Sequence, residues 1–188
     1  MPDARPARTQ YYTAATLDGF IADPEHSLDW LFQFGVQQTE DFPSFLQAVG
    51  ALAMGSSTYR WILEHLIDPG ADYPGPWPYT QPAWVFTTRS LRPVPGADIR
   101  FVRGDVAPVH RAMLAAAGGK NVWLVGGGDL VGQFHDRGLL DEIIVTIAPV
   151  TLGAGRPLLP RAITRPPLRL LGAEVYGPFV QLRYAVQR

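Results

Sequence analysis

Residues Val122 to Leu130 read VWLVGGGDL, an apolar run that meets three glycines before a polar, amphipathic stretch begins. A strand that feeds a helix through consecutive glycines leaves backbone N–H groups bare at the positive end of the helix dipole, and a pyrophosphate can come close to them. The same residues would serve as a tight strand-to-helix connection that needs glycine for backbone geometry alone. Spacing does not decide between the two. In the dinucleotide fingerprint G-x-G-x-x-G the third glycine is replaced by Val131, and the motif comes late in the chain, so an ordinary Rossmann assignment fails. Other reactive side chains are sparse. His26, His65, His110 and His135 are far apart and lack the spacing of metal ligands, so no metal is expected. Ser56 and Ser57 have no G-x-S-x-G elbow around them, which leaves hydrolase chemistry unsupported. Cysteine is absent, which excludes disulfides, thiolate catalysis and thiolate metal sites together.

The elements that must carry these residues alternate along the 188-residue chain, whose length favours a single domain over residues 1–188. Arg8 to Thr16 is rich in β-branched and aromatic residues and reads as a strand, with a turn at Asp18-Gly19 and a short continuation FIA. Thr39 to Val49 reads as an amphipathic helix capped by its threonine, with Pro43 in the first turn. Ala51 to Gly55 is a short strand, and Ser56 to Leu66 a helix after hydroxyl caps. Asp68 to Pro82 is too dense in proline and glycine for a regular element and reads as a long surface loop. Strands at Ala83 to Thr88 and Asp98 to Val102 follow, then an alanine-rich helix from Val106 that closes at Gly118-Gly119. Asn121 to Gly126 is a strand, Asp129 to Gly138 a helix and Asp141 to Val150 a strand. Two alternating runs around Gly177-Pro178 make a terminal hairpin. The pattern predicts an α/β protein of three layers, with a mostly parallel central sheet, helices on both faces and an antiparallel C-terminal hairpin. With 47% hydrophobic and 18% charged residues and a net charge of -1, the composition is that of a globular protein with no steering toward nucleic acid. The N-terminal stretch has no apolar h-region, and no run of about 18 apolar residues could span a bilayer, so the expectation is a cytoplasmic protein with no membrane partner.

Five stretches, taken in order, are specific where each alone is weak: ATLDGFIADPEHSLDWL, ALAMGSSTYRWI, VFTTR, VWLVGGGDLVGQF and DEIIVTIAPVTLGAGRPLLP. Together they resemble the dihydrofolate reductase superfamily, in particular the C-terminal reductase domain of bifunctional riboflavin-biosynthesis enzymes. The resemblance implies NADPH as cofactor, lying along the carboxyl edge of the sheet. It implies that the backbone of Ala14 holds the nicotinamide carboxamide and that Gly55, Ser56, Ser57 and Thr58 form a phosphate-receiving turn. Thr87, Thr88 and Arg89 would surround the adenosine phosphate. Gly126, Gly127, Gly128 and Asp129, with Leu130 behind them, would form the second phosphate turn. The chain departs from the pattern at Ser56, where many relatives carry an arginine, so the anchor of the 2′-phosphate is open.

Hydride transfer needs a donor ring held against an electrophilic carbon and a proton source for the atom that gains electrons. Asp18 in TLDGF matches an aspartate beside substrate and nicotinamide in the riboflavin-pathway reductases, although Asp-Gly is also an ordinary turn. Asp29, Glu40 and Asp41 lie near the helix that supplies the acid in true dihydrofolate reductases, yet Glu40 and Asp41 also suit any helix N-terminus. Trp30 could wall a substrate pocket with Phe32 and Phe34, or belong to the core. The resemblance also implies substrate-facing roles for Thr146 and for the loop of Gly153, Gly155 and Arg156. The expected function is NADPH-dependent reduction of a small heterocyclic metabolite, resembling 5-amino-6-(5-phosphoribosylamino)uracil reduction. A pterin or dihydrofolate reductase is an alternative, as is a non-catalytic nucleotide- or ligand-binding protein that kept the fold. A homodimer is expected because the family's domains pair and because the aromatics of Tyr73 to Tyr79 would otherwise sit on a loop in water.

Overall fold

Residues 6–35, 41–72 and 74–188 are described by a computed structural model. The strands are β1 (Thr9–Thr16), β2 (Phe20–Ala22), β3 (Val49–Gly55), β4 (Ala83–Phe86), β5 (Ile99–Val102), β6 (Asn121–Gly126), β7 (Glu142–Ala148), β8 (Arg156–Pro157), β9 (Arg169–Tyr176) and β10 (Phe179–Ala185). Eight of them form one sheet in the order β5-β4-β3-β6-β1-β7-β10-β9, and β2 pairs with β8 in a small second sheet. The pairings are parallel from β5 to β7, whereas β10 runs antiparallel to both β7 and β9. The helices are α1 (Asp29–Phe32), α2 (Phe42–Ala48), α3 (Ser56–Ile62), α4 (Val106–Ala117) and α5 (Gly128–Asp136).

The central strands read as unbroken apolar runs because both of their faces are covered. Tyr11, Ala51, Ala53, Val122, Leu124, Ile143 and Val145 pack on one side with Val106 and Met113 of α4 and Val131 and Phe134 of α5. Their sequence neighbours Tyr12, Leu52, Met54, Trp123 and Ile144 point to the other side, against Phe45 of α2 and Tyr59 and Ile62 of α3. These are the three expected layers.

Connections from two adjacent strands then diverge. β3 leads through α3 on one face to β4, while β6 leads through α5 on the opposite face and across β1 to β7. An open α/β sheet has its crevice where neighbouring connections part, outside the carboxyl ends of the strands. Here that point lies beyond Gly55 and Gly126.

Several expectations shift in detail. α2 begins at Phe42, after Asp41 at the N-cap position without a side-chain capping bond; Thr39 and Glu40 lie outside the described residues. Gly55, rather than a hydroxyl, is the N-cap of α3, so Ser56 and Ser57 are helical residues. After Ile62 the helix widens into a π-helical turn, Leu63–Ile67. The loop 68–82 has no regular element among its described residues, yet it is not an aromatic segment left in water. Tyr79 packs edge-on to Trp123 at 5.5 Å and Trp77 lies against Tyr59 at 5.8 Å, so both rings join the α3-side core. Burial pushes the Tyr79 phenol up to about 12. This removes the loop-based reason for expecting a homodimer; Tyr73 lies outside the described residues. Among the described residues no helix is long and apolar enough to cross a membrane, and no group of three or more His, Asp or Glu side chains is placed to hold a metal.

Candidate active site

The two strand-to-helix turns meet in the crevice. Gly55 and Gly127 are the N-caps of α3 and α5, and neither helix start has a side-chain capping bond, so the amide groups of both first turns lack side-chain acceptors. A Cβ placed on Gly55 would lie 3.8 Å from the Gly127 nitrogen, which shows how closely the turns approach. The three glycines of the second turn have three different reasons to be glycine. Gly126 has φ of +136°, which an L side chain rarely adopts. Gly127 has an ordinary φ of -78°, and a Cβ there would touch only the Ile21 Cδ1, at 3.7 Å. Gly128 has no room: its Cβ would be 2.5 Å from the Leu158 carbonyl oxygen and would also collide with the carbonyl of Pro157.

A cavity of about 800 Å³ opens from these turns along β1. Ala14, Gly55, Ser56, Ser57, Thr58, Gly126, Gly127, Gly128, Asp129 and Leu130 line it, as do Thr146 and Arg156. The β2–β8 pair stands over the second glycine turn, with Ile21, Ala22, Arg156 and Pro157 in the wall. Beside it, burial lowers the His26 pKa, and the nearby Arg156 and Arg60 lower it further, so this rim gathers positive charge. The wall away from the turns is aromatic and includes Phe32, Trp61, Trp123, Tyr176 and Phe179.

Other expected residues are outside that lining. Trp30 is buried with Ala148 and Phe179 behind the wall; Leu28, Leu31 and Phe32 of its segment face the cavity instead. Thr87, Thr88 and Arg89 follow β4 at the surface, where the Arg89 amide donates to the Thr87 hydroxyl at 2.9 Å. Gly155 is packed beneath the Ala22 carbonyl, which explains its missing side chain without a ligand. Gly153 is exposed, and its amide donates to Asp18 at 2.7 Å.

Asp18 is outside that lining too and has partners of its own. Its carboxylate accepts from the Thr16 hydroxyl and from the amides of Leu152 and Gly153, so it pins the loop after β7. The Thr16 hydrogen bond, with help from the two amides, holds its pKa below the ordinary 3.8. An aspartate whose oxygens already accept these hydrogen bonds, and which is ionised at neutral pH, carries no proton to donate. Docking of the loop favours the ionised carboxylate, so it is strongest above the ordinary aspartate pKa and is lost as pH falls through the depressed value. In Asp18→Ala, amide hydrogen exchange at Leu152 and Gly153 should therefore be faster at neutral pH, and in the parent the protection of these amides, relative to their intrinsic exchange rate at each pH, should fall on acidification. Unchanged exchange in the variant would mean that something else holds the loop.

A polar network at the cavity joins Thr146 and Asp41, both candidates from the sequence, to Tyr12 and Gln181, which no motif announced. Ala14 on β1, Thr146 on β7 and Gln181 on β10 are neighbours in register across three strands. The Gln181 amide donates to the Tyr12 hydroxyl at 2.8 Å and approaches the Thr146 hydroxyl at 3.4 Å. The Tyr12 hydroxyl donates to the Asp41 carboxylate at 3.2 Å. Tyr176 donates to Glu174, and this bond raises its pKa. Strand pairing brings residues 12, 146 and 181 together and the start of α2 adds residue 41, so their spacing carries no signal.

Comparison with known proteins agrees with this architecture. The family model described as the RibD C-terminal domain matches residues 9–182. The uncharacterized protein YwjB of Bacillus subtilis (strain 168) is 32% identical over 177 residues, covering 94% of this chain and 97% of that protein. A crystal structure of a putative riboflavin biosynthesis protein from Shewanella sp. PV-4 superposes with a TM-score of 0.76 at 26% identity, covering 96% of this chain and 99% of that one. The dihydrofolate reductase from Enterococcus faecalis complexed with NADP(H) shares the fold at 12% identity and a TM-score of 0.59, with 95% of each chain covered.

Proposed function

The chain belongs to the RibD C-terminal domain family, and from that premise we propose that it is a reductase of a small heterocyclic metabolite that uses NADPH. The observation that carries this reading is the pair of open glycine turns facing each other at the head of one cavity. Gly55, Ser56, Ser57, Thr58, Gly126 and Gly127 would hold the phosphates by main-chain N–H groups and hydroxyls. The Ala14 main chain would hold the nicotinamide carboxamide, and Thr87, Thr88 and Arg89 the adenosine phosphate. The bound cofactor would supply a hydride. Phe32, Trp61 and Trp123 would stack or wedge a flat acceptor ring and keep water from it, which favours a planar heterocycle such as an aminouracil.

Titration with NADPH and NADH tests the reading. Arg89→Ala should weaken NADPH by about 10- to 100-fold and leave NADH nearly unchanged, because only NADPH carries the extra charge and a charged hydrogen bond is worth about 1.5–3 kcal/mol. Equal loss for both cofactors would take the 2′-phosphate away from Arg89. Failure of both reduced cofactors to bind the parent at millimolar concentration would remove the reductase. Binding without turnover of pterin, aminouracil and quinone acceptors would instead favour a non-catalytic binding protein.

A further inference from the structure

We propose that Tyr12 is the proton donor of this site, supplied by Asp41 and oriented by Gln181; the proposal rests on the reductase reading above. Tyr12 lies two residues before Ala14 on the same face of β1, about 7 Å along the strand. It lines the cavity, whereas Asp41 and Gln181 stand behind it. Any group there therefore meets the phenol first and reaches the carboxylate only through it.

Tyr79 also lines the cavity, held edge-on against Trp77 and Trp123, and burial pushes its phenol up to about 12, which makes it a weaker acid than an ordinary phenol. Other titratable groups in and near the cavity are engaged elsewhere. Asp18 is bonded to the loop after β7, the Tyr176 hydroxyl donates its hydrogen bond to Glu174, and His26 sits beside Arg156. Asp129 lies in the first turn of α5, beside the second glycine turn and the expected phosphates. Around Asp41 stand Tyr12 from β1, Gln181 at 3.5 Å and Arg183 at 3.9 Å from β10, and Tyr176 from β9.

A phenolate next to the Asp41 carboxylate would place two anions in hydrogen-bond contact, so Tyr12 does not act alone. In the working form Asp41 is protonated and donates to the Tyr12 oxygen, while the Tyr12 hydroxyl turns toward the cavity. A bound reduced nicotinamide would supply a hydride, with its electron pair, to the acceptor's C=N or C=O carbon. The π pair moves to nitrogen or oxygen, that atom takes the Tyr12 proton, and Tyr12 takes the proton of Asp41. The product state is the bond seen here, Tyr12 donating to an Asp41 carboxylate, with Arg183 at 3.9 Å. The Asp41 side chain is 30% exposed, so water restores its proton. Gln181 donates to the Tyr12 oxygen throughout and is a positioning residue.

The test uses 7,8-dihydropterin, a neutral cyclic imine, as probe. Calorimetric binding to the cofactor-free protein in two buffers of different ionisation enthalpy should show about one proton taken up by the parent and essentially none by Asp41→Asn. With NADPH present, Tyr12→Phe should lower turnover by about 10²- to 10⁴-fold at unchanged NADPH affinity. The slowing of the parent in D₂O should disappear in both variants. Tyr12→Phe keeps the ring that meets Phe42 and Phe45 edge-on; should it fail to fold, Asp41→Asn decides alone. A parent that binds no cofactor, or reduces none of the pterin, aminouracil or quinone probes, loses the reductase reading and the donor with it. A parent that turns over while the variants match its rate, proton uptake and D₂O response keeps the reductase and overturns the donor.

Discussion

Gly127→Val is expected to leave the protein folded and to lower its affinity for reduced nicotinamide dinucleotide by about 100-fold or more. The glycine has φ of -78° and ψ of 177°, an extended conformation that valine adopts freely. Its Cβ would make one ordinary contact, with the Ile21 Cδ1 at 3.7 Å, and the two γ-methyl groups would project into the cavity. There they would keep a phosphate from the bare amides of the α5 N-terminus. Losing two charged hydrogen bonds of about 1.5–3 kcal/mol each would account for the expected fall. Valine is a poorer N-cap than glycine by about 1 kcal/mol, and for a domain of this size that lowers Tm by only about 2–4 °C. Calorimetry and thermal unfolding, measured together, separate the two effects. A folded Gly127→Val that binds NADPH as the parent does would make the glycines a turn and nothing more.

The sheet was legible because its strands obey a local rule. VWLVG, ALAMG and EIIVTIA are apolar on both faces, which only a covered parallel sheet requires, and their boundaries fell within a few residues of the observed strands. The two-residue strand β8 could not be read, since Arg156 and Pro157 become a strand only by pairing with β2. The glycine turns were legible as places where backbone is bare, but not in their division of labour. Sequence treats Gly126, Gly127 and Gly128 alike, whereas φ separates the first and the Pro157–Leu158 backbone separates the third. The partners of Asp18 were hidden for a related reason. A carboxylate beside a glycine looks available until the amides of Leu152 and Gly153, about 134 positions later, are found to occupy it. Long-range partners also hid Tyr12 and Gln181 and their link to Asp41, in a network that spans β1, the start of α2 and β10.

Gly128→Ala should have the opposite signature to its neighbour. One methyl group would stand 2.5 Å from the Leu158 oxygen and closer still to that of Pro157, and neither is a side chain that can rotate away. Either α5 or the segment after β8 must move. The segment is pinned on its other side: the Tyr11 hydroxyl donates to the Leu158 carbonyl at 3.1 Å, and the Leu158 amide donates to the Gly19 carbonyl at 2.9 Å. Moving it breaks bonds at a buried tyrosine, so the cost belongs with overpacked cores, about 1–3 kcal/mol or somewhat more. For a domain of this size that is a Tm lower by roughly 2–12 °C. Because the same segment carries Arg156 and pairs with Ala22, the β2–β8 wall of the cavity shifts with it. Cofactor affinity should therefore fall less than in Gly127→Val, while stability falls more. If Gly128→Ala unfolds at the parent's temperature, the backbone of Pro157 and Leu158 does not rest on α5, and the third glycine must be explained by the ligand instead.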